Sequence, residues 1–334
     1  MPSDPVPAEI SVIIINYGTA DLAVAAVESV LSRLDAGDRV DVHLVDNASP
    51  GDDRLRLQAA MAGPGWAERV RFYPETVNHG FARGNNLVLR ALAARPVPPR
   101  WVFFLNPDAQ LANETLPLLV GRLDADRRAG FAGAGIDQPG TGPVVAAFRF
   151  PTLISEFANA VAFGPVSRML RRWRVPLPPD HPEGPVDWVA GAGVLARMDA
   201  LQAVDFFDPG FFLYYEEVDL MRRARAAGWH CLYVPEARVV HAEGAATGVK
   251  SGTQRRRRPA YWYRSWARYF RKRGGRAGAM AVLAAVLIGT IFNRLLSLLR
   301  RRPPAGALCA ARDYLRIAGY AVLFGKDHRH DQGL

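Results

Sequence analysis

Residues 10–21 read ISVIIINYGTAD, and this stretch decides the fold. Ile10–Asn16 is a short, β-branched apolar run, the pattern of a strand buried on both faces of a parallel sheet. A polar turn follows, in which Thr19 or Asp21 can cap a helix. Leu22, Val24, Ala25, Val27, Val30, Leu31 and Leu34 then form a helical stripe. The pattern repeats downstream. Val40–Val45 reads as a second strand, Asp53–Ala62 as a helix, Val70–Tyr73 as a third strand, and Asn78–Asn86 opens a helix to about Ala94. Trp101–Leu105 (WVFFL) is a fourth strand. Strands and helices alternating at this spacing predict an α/β fold around a doubly wound, mostly parallel sheet.

An opening of this Rossmann-like kind raises a dinucleotide site as one reading. The first strand–helix turn, Asn16-Tyr17-Gly18-Thr19-Ala20-Asp21, lacks the G-x-G-x-x-G that holds a pyrophosphate, so a nicotinamide or flavin cofactor is not expected. Beyond the fourth strand, residues 146–185 are rich in Pro, Arg and aromatics, with a helix expected near Leu153–Phe163. Regular structure resumes at Val186–Met198, Phe206–Glu217 is aromatic-rich, and Val218–Ala227 should be a helix stopped by Gly228. Cys231–Val234 and Arg238–His241 read as two short strands.

Three of the predicted strands end in polar clusters: Asn16-Tyr17, Asp46-Asn47 and Asn106-Pro107-Asp108. Asn and Asp are common in turns. Three such clusters at the carboxyl edge of one sheet, however, converge where open α/β sheets bind ligands, and suit a ligand with hydroxyls and phosphates. Asp108 beside the Asn106 amide suits a hard divalent ion that takes its other ligands from water and a diphosphate; its bland alternative is a turn cap. Asn78-His79-Gly80-Phe81-Ala82-Arg83-Gly84-Asn85-Asn86 offers backbone amides and the Arg83 fork to an anion. Glu216, Glu217 and Asp219 follow the aromatics Tyr214 and Tyr215. Acids at a helix start can simply complement its dipole. Crowded beside aromatics, they can instead be tuned toward general-base work. His241 ends a predicted strand and is a candidate metal ligand in such company.

In order, the segments SVIIINYGTADL, VDNASPGD, NHGFARGNN, FFLNPDAQL, VDWVAGAGVLARMDAL, FFDPGFFLYYEEVDLMRRARAAGW and VVHAEGAATG resemble glycosyltransferase family 2, inverting enzymes of the A-type glycosyltransferase fold, and most of all its rhamnosyltransferase-like branch. The match covers about residues 10–248. The resemblance implies that Asp46, with Asn16, Tyr17 and Asn47 beside it, holds the nucleoside side of a nucleoside-diphosphate sugar. It implies that Asn78, Gly80, Arg83 and Asn86 bind the donor, and that Asn106-Pro107-Asp108 stands for a D-x-D metal motif. It places Trp188 and Gly191 on the acceptor side, Arg223 on the donor side and His241 at the metal, Mg2+ or Mn2+. It assigns the base to Glu217, where the family usually has Asp, with Glu216 and Asp219 as alternatives. The implied reaction is a single inverting displacement. It would move rhamnose or another deoxyhexose from a dTDP- or UDP-linked donor to a polyprenyl-linked or polysaccharide acceptor. Two rivals are a nucleotidyltransferase, which should carry a Gly-rich basic loop after the first strand, and a non-catalytic membrane adaptor on a decayed scaffold.

The formal net charge of +10 is an average over two parts. Residues 251–334 hold 18 Lys+Arg and 3 Asp+Glu, so residues 1–250 hold the remaining 24 and 29, and the parts carry +15 and −5. A catalytic domain over 1–250 and a basic helical extension over 251–334 are therefore expected. Arg255–Arg258, the interleaved aromatics of YWYRSWARYF (261–270) and Arg271-Lys272-Arg273 are followed by 17 uncharged residues between Arg276 and Arg294, and a second mildly amphipathic stretch runs Ala307–Phe324. A packed helical pair and a nucleic-acid surface are two alternatives. The favoured reading is an interfacial anchor, with Arg on anionic headgroups and Trp and Tyr at headgroup level, and no nucleic-acid partner. Two cysteines, Cys231 and Cys309, rule out a disulfide framework or a thiolate zinc site. MPSDPVPAEI is not a signal peptide, so a cytoplasmic location on the inner membrane face is expected.

Overall fold

The structure, a computed structural model, describes residues 8–33, 39–242 and 256–325. Leu34 of the helical stripe, Glu243, Gly244, Arg255 and the expected boundary at 250/251 lie outside the described residues. The chain divides into two compact units. One comprises Met1–Phe148, Pro176–Pro209 and Glu217–Ser251; the other comprises Arg149–Val175, Gly210–Glu216 and Gly252–Leu334.

The first unit is built on the expected sheet. Strands β1 (Ile10–Asn16), β2 (Val40–Asn47), β3 (Val70–Glu75) and β4 (Trp101–Leu105) are parallel and lie in the order β3-β2-β1-β4. Their carboxyl ends fall on one edge because the register is nearly unshifted: Asn16 faces Asp46 and Asn47 faces Glu75. Helices α1 (Ala20–Leu31), α2 (Asp53–Ala60), α3 (Trp66–Arg69) and α4 (Gly80–Ala93) form the crossovers. The β-branched runs are buried as their composition requires, with Val12, Ile14, Val42 and Leu44 fully enclosed.

Past β4 the chain adds β5 (Ala109–Leu111), helix α5 (Thr115–Ala125), β6 (Ala129–Gln138), β7 (Gly142–Val144) and β8 (Ala147–Phe148). After an excursion into the second unit come β9 (Gly184–Val186), β10 (Trp188–Val189) and β11 (Gly193–Arg197). Antiparallel β11 is inserted between β4 and β6, which explains why the sheet is mostly rather than wholly parallel. Gly193 allows the insertion, since a Cβ there would sit 2.8 Å from Val239 Cγ2. The two short strands expected near the end of the unit are one, β12 (His230–His241). Its register against β6 shifts between Val234 and Arg238, a bulge at Pro235 where the missing N–H cannot continue the ladder.

The helix start expected at Thr19 or Asp21 is capped differently. Neither side chain caps α1; the Ala20 N–H donates instead to Asp53 Oδ2 at 3.0 Å. The opening of α2 thus supplies the negative charge that the α1 dipole favours.

In the second unit, helix α6 (Leu153–Val161) packs against α10 (Ala260–Leu299). The short helix α7 (Gly164–Met169) follows α6 in the chain, and α11 (Ala310–Asp313) and α12 (Gly319–Phe324) come after α10; helices α8 (Met198–Gln202) and, from Glu217 on, α9 (Glu216–Ala226) belong to the first unit. Close approach of α10 to α6 needs Gly289, where a Cβ would meet Ala160 Cβ and Phe157 O at 2.9 Å. Trp266 Nε1 donates to the buried Glu156 carboxylate (2.8 Å), and Asn293 Nδ2 donates to Val161 O (2.9 Å) at the end of α6. The aromatics that the sequence reading put at headgroup level are core instead: Tyr263, Trp266 and Tyr269 are 0 % exposed. They pack edge-on or tilted against Tyr314 and Phe270, and supply a core where the described residues of this unit form no sheet. α10 is not one rod. Gly274 (φ −137°, ψ 16°) and Gly275 (φ 65°, ψ −167°) leave the helical region and break it.

Candidate active site

The carboxyl ends of β1 and β2 are tied into a polar network centred on Asn16. Its Nδ2 lies within reach of Ser49 Oγ (3.1 Å), Asp53 Oδ2 (3.2 Å) and Asp46 Oδ1 (3.5 Å), and its Oδ1 accepts from Thr19 N and Oγ1. Asp46 is fully buried; it also accepts Ser49 N and faces Arg54 Nε at 3.5 Å. Arg54 reaches on to Glu75 O. Ser49, Asp53 and Arg54 were not singled out from the sequence. Their signal was the polar run Asp46–Asp53, whose members could be paired only once β1 and β2 were adjacent. Tyr17, beside this network, is partly exposed.

Asn47 joins the next segment. Its Nδ2 donates to Asn78 Oδ1 (3.1 Å) and Gly80 O (3.3 Å), and its Oδ1 accepts His79 N (2.9 Å). Asn78 Oδ1 in turn accepts Gly80 N at 2.8 Å. Gly80 has φ 69°, a value that L side chains rarely adopt, and starts α4 at this edge.

Arg83 and Asn86, further along α4, reach a loop 121–126 residues away. Asn86 Nδ2 donates to Phe207 O (2.8 Å), Phe207 N donates back to Asn86 Oδ1 (3.0 Å), and Arg83 Nε donates to Pro209 O (2.7 Å). The same loop is held from α9: Arg223 donates to Phe206 O and Asp219 Oδ2, both at 2.7 Å, and to Val204 O. Two of its residues, Asp205 (φ 51°) and Phe206 (φ 61°), are in the left-handed region, so these bonds hold a strained segment. Asp219, fully buried and ion-paired with Arg223, is engaged in this clamp.

A third group lies at the ends of β4 and β12. His241 Nε2 is 3.0 Å from Asp108 Oδ1 and 3.5 Å from Asn106 Nδ2. Asp108 is 6 % exposed. The Asn106 N–H donates to Ala192 O, which brings the Gly191-Ala192 turn alongside. Among the described residues no cluster of three His, Cys, Asp or Glu side chains forms a closed metal site. A carboxylate oxygen and an imidazole nitrogen in contact fit a hard cation that keeps water and substrate oxygens as its remaining ligands.

Glu217 stands in the first turn of α9. Burial pushes its carboxyl above the usual range, although its own N–H and that of Val218 donate to it. Oε2 is enclosed and has no hydrogen-bond partner among the described residues. A carboxyl raised in this way holds a proton more readily than an exposed one. α9 also meets the expected acceptor segment, since Val189 N donates to Met221 Sδ at 3.4 Å. Next to Val189, Trp188 stacks on Phe148 with ring centroids 4.0 Å apart. Glu216 belongs to the second unit and is 4 % exposed.

The sequence matches the model of "Glycosyl transferase family 2" over residues 11–145 and that of "Glycosyl transferase family group 2" over residues 122–319. It is 33 % identical over 218 residues to an N-acetylglucosaminyl-diphospho-decaprenol L-rhamnosyltransferase of Mycobacterium tuberculosis, covering 63 % of this chain and 68 % of that protein. It is 28 % identical over 167 residues to the rhamnosyltransferase WbbL of Escherichia coli, covering 49 % and 61 %. Among solved structures, a mannosyltransferase from Pyrobaculum calidifontis in complex with GDP-Man and Mn2+ superposes with a TM-score of 0.56 at 15 % identity, over 98 % of this chain and 92 % of that one. S. aureus TarS 1-349 gives 0.51 at 11 % identity, over 94 % and 82 %. These matches do not favour a nucleotidyltransferase or an adaptor. The front sheet, the polar edge at its strand ends and the two family matches agree, and the chain belongs to glycosyl transferase family 2: it is a sugar-transferring glycosyltransferase.

Proposed function

We propose that the chain transfers rhamnose, or a related deoxyhexose, from a dTDP- or UDP-linked donor to a polyprenyl-diphosphate-linked acceptor, with inversion. The observation that carries this reading is the 33 % identity to a rhamnosyltransferase whose name specifies a diphospho-decaprenol acceptor. The Asn16, Asp46 and Asn47 networks form the floor for the nucleoside and, by bonding the His79 and Gly80 N–H groups, set the start of α4 beside the diphosphate. Asp108 and His241 would hold a divalent metal, Mg2+ or Mn2+. When bound, that metal supplies neutralisation of charge on the departing nucleoside diphosphate. Glu217 accepts the proton of the acceptor hydroxyl as the oxygen attacks the anomeric carbon from the face opposite the leaving group. Burial that raises this carboxyl's proton affinity makes it the better base. The Trp188–Phe148 stack offers an apolar platform for the acceptor sugar. We further propose that the enzyme works at the inner face of the cytoplasmic membrane, where a polyprenyl-linked acceptor resides, and that residues 1–250 form its catalytic domain.

The test is a donor and acceptor screen. The full chain is incubated with dTDP-rhamnose and with UDP- and GDP-hexoses, Mg2+ or Mn2+, and polyprenyl-diphosphate N-acetylglucosamine, and product is followed by mass spectrometry. Transfer from dTDP-rhamnose at least tenfold above any hexose donor is expected. Preferential transfer from a hexose donor would overturn the sugar assignment.

A further inference from the structure

The second half of α10 presents two opposed apolar faces. At about 100° per residue, Ala279, Val282, Leu283, Val286, Gly289 and Asn293 fall on one side, and all are buried. That side carries the close approach of Gly289 to α6 and the Asn293–Val161 bond. The opposite side carries Ile288 (60 % exposed), Ile291 (58 %), Phe292 (42 %), Leu295 (55 %), Leu298 (75 %) and Leu299 (82 %). Soluble monomers rarely leave so continuous an apolar row in water.

α10 is long and apolar enough, by length and composition, to cross a membrane. Three observations oppose crossing. A spanning helix is surrounded by lipid or by other spanning segments, whereas one side of this one is occupied by the nine-residue α6, which carries the buried Glu156. The uncharged run between Arg276 and Arg294 has 17 residues, or roughly 26 Å of helix against about 30 Å of bilayer hydrocarbon. The exposed row also continues past Arg294 to Leu299, where a spanning segment would already have ended.

Charge identifies what covers the row. Residues 256–325 contain 15 Lys+Arg and one acid, Asp313. A second copy of this unit would bring the same positive charge to the contact, whereas anionic headgroups complement it.

We infer that the Ile288–Leu299 face lies flat in the headgroup–acyl boundary of an anionic bilayer, with α10 parallel to the membrane surface and neither end crossing it. This rests on the membrane location proposed above and replaces the aromatic segment 261–270 with residues 288–299 as the inserting surface. Arg294, exposed on the flank of the row, and the exposed Arg301 and Arg302 beyond it meet the phosphates.

The test uses the full chain and vesicles of phosphatidylcholine with 30 % phosphatidylglycerol, read by co-sedimentation. Wild type binds, and at least tenfold more weakly to phosphatidylcholine alone. Leu295→Glu with Leu299→Glu lowers affinity at least tenfold, with melting temperature and solution nucleotide-sugar hydrolysis unchanged; both sites are solvent-exposed, so the fold does not depend on them. As a second measurement, Gly278→Cys and Arg302→Cys, each in a Cys309→Ser background, both react with impermeant maleimide added outside the vesicles. Protection of one end would show a spanning helix and overturn the inference. Undiminished binding of the double variant would overturn the inserting face while leaving the membrane location standing. Failure of wild type to bind either vesicle, or salt-independent dimerisation through the row, would overturn both.

Discussion

Asn86→Ala should expose the mechanical role of α4. In the structure both polar atoms of the Asn86 amide are committed to Phe207, at 2.8 and 3.0 Å, and both residues are buried. Truncation deletes two hydrogen bonds and leaves the Phe207 N–H and C=O buried without partners. Each such deletion costs about 1–3 kcal/mol, so roughly 2–6 kcal/mol is expected for the pair, and ~2–4 °C per kcal/mol for a unit of this size gives a fall in Tm of roughly 4–24 °C. The strained φ values at Asp205 and Phe206 add to the case, because the loop then loses the bonds that hold it there. The assay is thermal unfolding by circular dichroism, with donor KM measured in parallel well below Tm. Asn86→Asp keeps the acceptor for Phe207 N and should lose about half as much. The reasoning fails if Asn86→Ala leaves Tm within 2 °C of wild type while raising donor KM tenfold, since the amide would then serve the nucleotide rather than the loop.

Two further outcomes follow from the buried carboxylates. Glu217→Gln should lower kcat by roughly 10²–10⁴-fold, the usual contribution of a general base, with little change in donor KM. Because burial raises the Glu217 carboxyl, wild type loses stability as pH rises through that raised value, so the Gln variant should gain Tm relative to wild type at pH 8 but not at pH 4; an equal difference at both would contradict the assignment. At the amino end of β2, burial raises the Asp41 carboxyl, but hydrogen bonds from His43 and Ser11 and the charges of His43 and Arg95 outweigh it and hold it at about 2. A lowered carboxyl stabilises the fold above its ordinary value of 3.8 and ceases to as pH falls toward 2. Asp41→Asn should therefore cost about 2 kcal/mol at pH 7 and almost nothing at pH 2, as read from urea unfolding at the two pH values.

The front sheet was legible because its signals are local. Runs such as ISVIIIN and WVFFL are buried on both faces, and the polar residues that end them share an edge once the strands are parallel. Asp108 and His241, 133 residues apart, were brought together from the sequence only by the family resemblance. The Asn86 and Arg223 clamp was not legible, because nothing near either residue announces Phe206 or Phe207 as its partner. Residues 146–185 were obscure for a related reason: α6 is amphipathic only with respect to α10, more than 100 residues later. The same long-range pairing decided which half of the extension turns its apolar residues inward. Composition gave aromatics and arginines in one segment and aliphatics in the next, but the elements that cover α10, α6 and the helical segment from Tyr314, determine which of them meet solvent.

The break at Gly274–Gly275 turns one long helix into a clamp. An unbroken 40-residue helix would be a straight rod of about 60 Å, whereas the nine-residue α6 spans only about 14 Å. With two non-helical residues between them, both halves of α10 reach α6, the near half through Trp266 to Glu156 and the far half through Asn293 to Val161 O. Replacing both glycines by alanine would favour the straight rod and set these two grips on α6 against each other.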